Sequence, residues 1–263
     1  MDQGRDRGAT NLGIPALSIV IPVYNEGETV VPTLQGIYDQ VSTRPLEILV
    51  VYDFEEDTTV PAVKRLQPTM PGLNLLRNRF GRGALNAVKS GLQAASAQHV
   101  LVTMADGSDE PEVIDAMVVK ASRGADVVSG SRYMRGGHQL GGPLLKRSMS
   151  RVAGLTLHWL GGIATHDSTS NFRLYSRRLL DAVTIESTGG FELGLELTVK
   201  GHLLGMVVDE VPTTWRDRTS GVSRFRLWQW LPHYLHWYWL GMYGRVSARP
   251  RRQLKQRAGG YQP

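Results

Sequence analysis

Three carboxylates stand out by where they fall. Glu26 and Asp106 follow runs that read as β-strands, and Asp53 ends another. In a parallel sheet the carboxyl ends of the strands share one edge, where α/β proteins bind their ligands, so the three can converge there. The first of these runs is β-branched and apolar; it breaks at Pro22 and delivers Tyr24 and Glu26 into a turn. Neither G-x-G-x-x-G nor G-x-x-x-x-G-K-[ST] follows it, so a nucleotide held here is gripped by Tyr24 and Glu26 rather than by a phosphate-cradling helix start. Arg132, Arg173, Arg218 and Arg224 lie in loops or beside strand ends. There a guanidinium can make bidentate contact with phosphate. The plain alternative for each is a solvated surface arginine.

The elements that must position these groups alternate. Strands are expected at Ser18–Val23, Glu47–Tyr52, Asn74–Arg77, Val100–Met104 and Asp126–Ser129. Helices are expected at Glu26–Gln40, Asp57–Leu66, Gly83–Ala95 and Glu112–Ala121. That spacing implies βαβ units and a mostly parallel sheet, hence an α/β fold. Further on, helices are expected at Leu144–Leu160, Arg177–Val183 and Glu192–Lys200, and strands at Phe172–Tyr175 and Val207–Trp215. Asn25 with Glu28, and Asp109 with Glu112, have the spacing of capping boxes, and Asp57 reads as a helix cap. Gly81 and Gly83 permit a tight loop before a helix, which is either a phosphate site or a simple connection. His166 and Asp167 read as a polar-loop pair.

With 263 residues the chain is long enough for one large α/β domain or two small ones. It has no cysteine, so disulfides and thiolate metal sites are excluded. Thirty Lys and Arg against 24 Asp and Glu leave +6, a surplus that suits nucleotides, phosphates or an anionic membrane. No interleaved basic–aromatic motif or zinc-finger spacing occurs, so no nucleic-acid partner is expected. Residues 1–13 are polar, do not read as a signal peptide, and are expected to be a disordered lead-in. No stretch reaches the roughly 20 apolar residues of a spanning helix. A cytoplasmic protein at the membrane face is the expectation.

Several motifs occur in order. They are Ile21-Pro22-Val23-Tyr24-Asn25-Glu26, Val50-Val51-Tyr52-Asp53, Met104-Ala105-Asp106-Gly107-Ser108-Asp109 and Gly130-Ser131-Arg132-Tyr133. Then come Ser170-Asn171-Phe172-Arg173-Leu174-Tyr175, Glu210-Val211-Pro212 and Arg218-x-x-Gly221-x-Ser223-Arg224. The series resembles the family-two glycosyltransferases, in particular the dolichol-phosphate and polyprenol-phosphate mannose synthase branch, from about Leu17 to Phe225. The resemblance implies a single GT-A domain over residues 14–226. It puts Pro22, Tyr24 and Glu26 on the nucleoside and Asp53 near the base. Ala105 and Asp106 fall at the diphosphate, with Asp106 and Ser108 at a Mg²⁺ or Mn²⁺ ion. Arg132, Arg218 and Arg224 match positions near the phosphates, and Arg173 joins them as a candidate. The pattern departs at Met104, where relatives carry the first acid of D-x-D, and at Ser108, where they often carry glutamine. Tyr52-Asp53-Phe54-Glu55 replaces the usual D-D-G-S, and Asn171 replaces the glycine of Ser-Gly-Phe-Arg. Base and sugar stay open.

The chemistry expected is inverting transfer of a sugar from a nucleotide-sugar donor, GDP-mannose or a UDP-sugar, to polyprenyl or dolichyl phosphate. A metal on one or two carboxylates offsets charge on the diphosphate leaving group. A lipid monophosphate is already largely ionised and needs no base. A small hydroxylated acceptor, the alternative, would need one, for which Glu192 or Glu196 is the candidate. A second alternative is a non-catalytic nucleotide-sugar-binding protein. Residues 227–246 hold four of the six tryptophans and read as an interfacial aromatic segment, flanked by arginines and a basic flexible tail at 247–263. Membrane contact through 227–257 is expected; packing of the segment on the domain or on a second subunit, which would make a homo-oligomer, is the other reading.

Overall fold

A computed structural model describes residues 14–217 and 227–244, without the side chains of 227–230. The expected lead-in, the basic loop carrying Arg218 and Arg224, and the tail fall outside these. The first half alternates: β1 (Leu17–Pro22), α1 (Val30–Gln40), β2 (Leu46–Tyr52), α2 (Thr59–Leu66), β3 (Leu73–Arg77), α3 (Ala84–Ala94), β4 (His99–Val102), α4 (Ile114–Ser122) and β5 (Val127–Ser131). Then follow β6 (His138–Leu140), α5 (Leu144–Trp159), β7 (Arg173–Ser176), α6 (Arg177–Ala182), α7 (Leu193–Leu204), β8 (Val208–Pro212), β9 (Thr214–Arg216) and α8 (Leu227–Tyr243).

The main sheet has the order β3-β2-β1-β4-β7-β5-β8, and only β7 runs antiparallel to its neighbours. The expected mixed, mostly parallel α/β architecture is present. Both faces are covered, as a parallel sheet requires. On β1, Leu17, Ile19 and Ile21 pack with Leu34, Ile37 and Met117, while Val20 faces Leu92, Leu195 and Trp237 across the other face. Gly91 makes the second layer close: a Cβ there would overlap the Val20 side chain, so α3 lies directly on β1.

Two local expectations are corrected. Asn25 and Glu28 do not make a capping box. Asn25 takes a left-handed backbone (φ 53°), and its Oδ1 accepts from Thr58 N at 3.2 Å. The chain enters α1 through a 3-10 turn over Gly27–Thr29. The run Val207–Trp215 is two strands, because β8 ends at Pro212 and β9 leaves the main sheet to pair with β6. The short, exposed β6 has no periodic signature and was not expected.

Candidate active site

Sheet order brings the loops after β1, β2 and β4 to one edge. There Pro22 ends β1 and Tyr24 and Glu26 follow it, while Asp53 follows β2 and Ala105 and Asp106 follow β4. Pro22 lines a small apolar cavity with Ala84, Val88, Met104, Asn171 and Phe191. Tyr24 is exposed and meets the Phe54 ring edge-on. The Glu26 backbone N–H donates to Thr59 Oγ1 at 2.9 Å. Asp57 acts as the expected cap, accepting from Thr59 N at 2.8 Å, and its other oxygen fixes Asn25 N. Asp53 accepts from Asn78 Nδ2 at 2.7 Å and from Gly83 N at 2.9 Å. The Gly83 N–H of the tight loop is therefore engaged by Asp53.

After β4 the turn is held from both sides. Ala105 O accepts from Thr33 Oγ1 at 3.0 Å, and Asp106 Oδ1 accepts from Ser108 N at 3.1 Å. Ser108 is buried, and its carbonyl accepts from Arg216 N at 3.0 Å. Asp109 is not a helix cap, which corrects the capping box expected with Glu112. Its Oδ2 accepts from Thr103 Oγ1 at 2.8 Å and from Met104 N, folding the carboxylate back under the turn. Burial pushes its carboxyl up to about 6; the Thr103 bond opposes the rise and the neighbouring Asp106 charge adds to it.

Among the described residues no three His, Asp or Glu side chains converge into a cage. A cage is not what this chemistry needs, because Mg²⁺ keeps several waters and binds through one or two carboxylates plus substrate phosphates. Asp106 at the mouth of the edge fits such a set, while the Met104 thioether stands among apolar neighbours where a first acid would lie.

The arginines divide. Arg132, just past β5, donates through Nε to Asp167 Oδ2 at 2.6 Å and through Nη2 to Oδ1 at 3.0 Å. Ser150 and Thr169 also accept from Nη2. Burial alone would raise the Asp167 carboxyl, but the Arg132 guanidinium more than reverses this and holds it low. Arg132 also lines a cavity of about 280 Å³ with Tyr133, His138, Gln139, Arg147 and Arg151. The phosphate role expected of Arg173 is corrected. Its side chain is fully buried, with Nη2 donating to Asp167 O at 2.6 Å and Nη1 to Thr198 Oγ1 at 2.6 Å and to the Gly194 carbonyl. Burial lowers its pKa. Arg173 ties the 167–168 turn to α7. Arg218 and Arg224 lie outside the described residues.

Residues that sequence reasoning missed build the far wall. Asp167 receives Arg132. Glu210, on β8, accepts from Thr165 Oγ1, His166 N and His166 Nδ1, the last at 2.5 Å, and so anchors the turn that carries Asp167. The only signal was Glu210-Val211-Pro212 in the motif series. Gly154 of α5 packs so closely on this turn that a Cβ would overlap His166 O. Glu192 and Glu196 are excluded as an accessible base: both are fully buried. Glu192 accepts from Gly189 N and Gly190 N, and Glu196 from Glu186 N, Ser187 N and Lys200 Nζ.

The model of the family described as "Glycosyl transferase family 2" matches residues 18–184, from β1 through α6. This chain belongs to glycosyl transferase family 2. The family-2 chain is 31% identical over 214 residues to a polyprenol monophosphomannose synthase of Mycolicibacterium smegmatis, covering 78% of this chain and 79% of the relative. It is 32% identical over 212 residues to an undecaprenyl-phosphate mannosyltransferase of Micrococcus luteus, covering 78% and 85%. A dolichol-phosphate mannosyltransferase of Pyrococcus furiosus is 28% identical over 240 residues, covering 88% of this chain and 66% of the relative. In fold, the family-2 chain matches a glucosyl-3-phosphoglycerate synthase from Mycobacterium tuberculosis solved with Mn²⁺, UDP and phosphoglyceric acid (TM-score 0.61, 18% identity, 89% and 79% covered). It also matches a mannosyltransferase from Pyrobaculum calidifontis solved with GDP-Man and Mn²⁺ (TM-score 0.58, 19% identity, 93% and 73% covered). The GT-A architecture and glycosyltransferase activity follow.

Proposed function

We propose that this family-2 transferase moves a mannosyl group from a nucleotide-linked donor to a polyprenyl phosphate at a membrane surface, with inversion. The observation that carries the acceptor is the cavity of about 280 Å³ lined by Arg132, Arg147, Arg151 and His138. Arginine forks there suit a phosphate head group. The same helix, α5, exposes Leu144, Leu145, Val152 and Trp159 to the outside. Two of the pocket arginines, Arg147 and Arg151, and the apolar flank share this helix, which suits an amphiphile with an anionic head. The three relatives' names supply the mannosyl group and the lipid class.

The acceptor phosphate brings its own ionised oxygen, so attack at the anomeric carbon needs no general base. That agrees with the burial of Glu192 and Glu196, and it disfavours a hydroxylated acceptor that would rely on either. On the donor side Pro22, Tyr24 and Glu26 hold the nucleoside, Asp53 holds the base, and Ala105 backs the diphosphate. Asp106, with Ser108 shaping its turn, would hold Mg²⁺ or Mn²⁺. When bound, that ion neutralises charge on the diphosphate leaving group. Arg218 and Arg224 are assigned to the phosphates on the motif series alone.

Among the described residues no helix is long and apolar enough to cross a membrane. The exposed apolar residues of α5 and α8 support the membrane contact of this reading. The α8 helix packs on α5, where Thr156 Oγ1 and Tyr238 OH lie 2.9 Å apart, and on α7, where Lys200 Nζ sits 4.9 Å from the Trp237 ring centre. Trp237 is buried, whereas Leu235, Trp239 and Tyr243 stay exposed, and Trp239 and Tyr243 stack. The aromatic segment packs on the domain and leaves an exposed aromatic face, which supports contact with a bilayer interface. Transfer of labelled mannose from its nucleotide donor to polyprenyl phosphate in anionic vesicles tests the reading. Product that depends on the divalent ion is expected; transfer only to a water-soluble hydroxyl acceptor would overturn it.

A further inference from the structure

The three-residue strand β9 bridges the turn that carries Asp106 and the arginine-lined cavity. Its ladder is with the equally short β6, in a two-stranded sheet. A ribbon of that size is marginal in water, so bonds outside the ladder must set its place. Thr213 N, just before β9, donates to Ser131 O at 3.1 Å, next to Arg132. Arg216 N donates to Ser108 O at 3.0 Å, and Asp217 N, just after β9, to Leu140 O at 2.9 Å. The fourth bond comes from a side chain: Glu110 Oε2 accepts from Thr214 N at 2.7 Å, 104 positions away in the chain. Glu110 is aimed there by its own backbone. Pro111 disfavours a helical conformation at the residue before it, and Glu110 is extended, with φ −87° and ψ 111°. It stands just before the 3-10 turn over Pro111–Val113, yet its side chain makes no cap bond there. The carboxylate goes to β9 instead, in a charge-assisted bond about twice as strong as a neutral one. The exposed Arg216 guanidinium, 3.6 Å from Oε1, adds little to it.

We propose that Glu110 is a positioning residue for sugar transfer: it latches β9, and through β9 the β6 wall of the cavity, to the turn that carries Asp106. The assignment rests on the function proposed above, with the donor at the Asp106 turn and the acceptor phosphate in the cavity. All of β6, His138, Gln139 and Leu140, lines that cavity. Gln139 Oε1 also accepts from Tyr133 OH at 2.9 Å, beside Arg132. The attacking oxygen must meet the anomeric carbon in line at about 3–3.5 Å, and a misplacement of about 1 Å caused far from the chemistry can cost about a hundredfold. Glu110 touches neither substrate in this assignment. It fixes the spacing of the two halves of the site, so its loss falls on kcat and not on either binding step.

Steady-state kinetics of the full chain with Mn²⁺, GDP-mannose and polyprenyl phosphate in anionic vesicles test the latch, with backbone amide exchange at Thr214 as a second measurement. Glu110→Ala is expected to lower kcat about tenfold or more while both KM values stay within about threefold, and to speed exchange at Thr214. Glu110→Gln keeps an oxygen that accepts from Thr214 N and loses only the charge, so it is expected to restore kcat to within about threefold of the wild type. An unchanged kcat in Glu110→Ala would overturn the latch, as would a raised KM for GDP-mannose with kcat intact. A loss that Glu110→Gln shares in full would also overturn it, making Glu110 a charge-bearing ligand of the ion. If Glu110→Ala does not fold, Glu110→Asp, one methylene too short for Thr214 N, gives the same kcat readout. The exchange measurement needs no acceptor. Faster Thr214 exchange in Glu110→Ala, with no wild-type transfer to polyprenyl phosphate, sinks the lipid acceptor and leaves the latch. Wild-type transfer, with Thr214 exchange unmoved in Glu110→Ala, sinks the latch and leaves the acceptor.

Discussion

Arg132 and Asp167 form a bidentate ion pair, with the carboxylate fully buried and the guanidinium side chain 12% exposed, at the wall of the arginine-lined cavity. The pair does two jobs through one contact: it neutralises a buried carboxylate, and it aims a guanidinium at the cavity.

Removing one partner should cost more than the contact is worth, because it strands a buried charge. Asp167→Ala is expected to destabilise the fold by about 3–5 kcal/mol. Arg132→Lys keeps a charge and loses the fork, so it should fold and yet raise KM for the polyprenyl phosphate about tenfold or more, with little change in nucleotide affinity. Chemical denaturation and steady-state kinetics check the two.

Asp106→Asn removes the carboxylate assigned to the divalent ion and keeps the shape of its turn, since an amide oxygen still accepts from Ser108 N. Transfer should fall about a hundredfold or more, the several kcal/mol that a metal contributes to leaving-group charge. Mn²⁺ binding followed by electron paramagnetic resonance with nucleoside diphosphate present should weaken in parallel. Undiminished Mn²⁺ binding would remove Asp106 from the site.

Acid sensitivity should follow Asp126, which joins β5 to β7 and β8. Burial alone would raise its carboxyl, but Arg178 Nε at 2.9 Å, Ser176 Oγ at 2.7 Å and Val207 N at 3.0 Å hold the charged form and leave its pKa lowered. A carboxyl depressed in the folded state contributes stability above its ordinary pKa of about 3.9, and that contribution is lost as pH falls through the folded value. The Tm gap between wild type and Arg178→Met should accordingly be widest near neutral pH and close on acidification. A gap that is constant from neutral pH to strong acid would show that the Arg178 bond does not stabilise the Asp126 charge.

Gly91→Ala tests the close layer of α3 on β1. A Cβ there would overlap Val20, and overpacking of this kind costs about 1–3 kcal/mol. Thermal unfolding should report the loss, and the double variant with Val20→Ala should recover part of it.

Membrane contact separates the tryptophans. Trp159→Ala and Trp239→Ala remove exposed rings and should weaken sedimentation with anionic vesicles without lowering Tm. Trp237→Ala removes a buried ring that covers Lys200, and should lower Tm instead.

Local chemistry was legible in the sequence. Strand–turn–helix alternation gave the parallel sheet, because side-chain periodicity and turn residues act over a few positions. The placement of Asp53 and Asp106 at one edge followed, since strand ends in a parallel sheet coincide. The fates of Arg132 and Arg173 were not legible. Both are arginines just past or within strand ends, yet one lines a cavity and the other is buried among carbonyls. What separates them is the helix that meets each: Arg132 reaches Ser150 of α5, whereas Arg173 is buried against Gly194 and Thr198 of α7.

The sequence by itself determined the family, the sheet and the edge where the carboxylates gather, through short-range patterns and ordered motifs. Only the tertiary structure decided that Asp167 and Glu210 build the far wall, that Asp109 folds back instead of capping a helix, and that Glu192 and Glu196 are spent on backbone N–H groups. Those outcomes depend on partners distant in the chain, and on whether burial leaves a charged group any solvent to turn to.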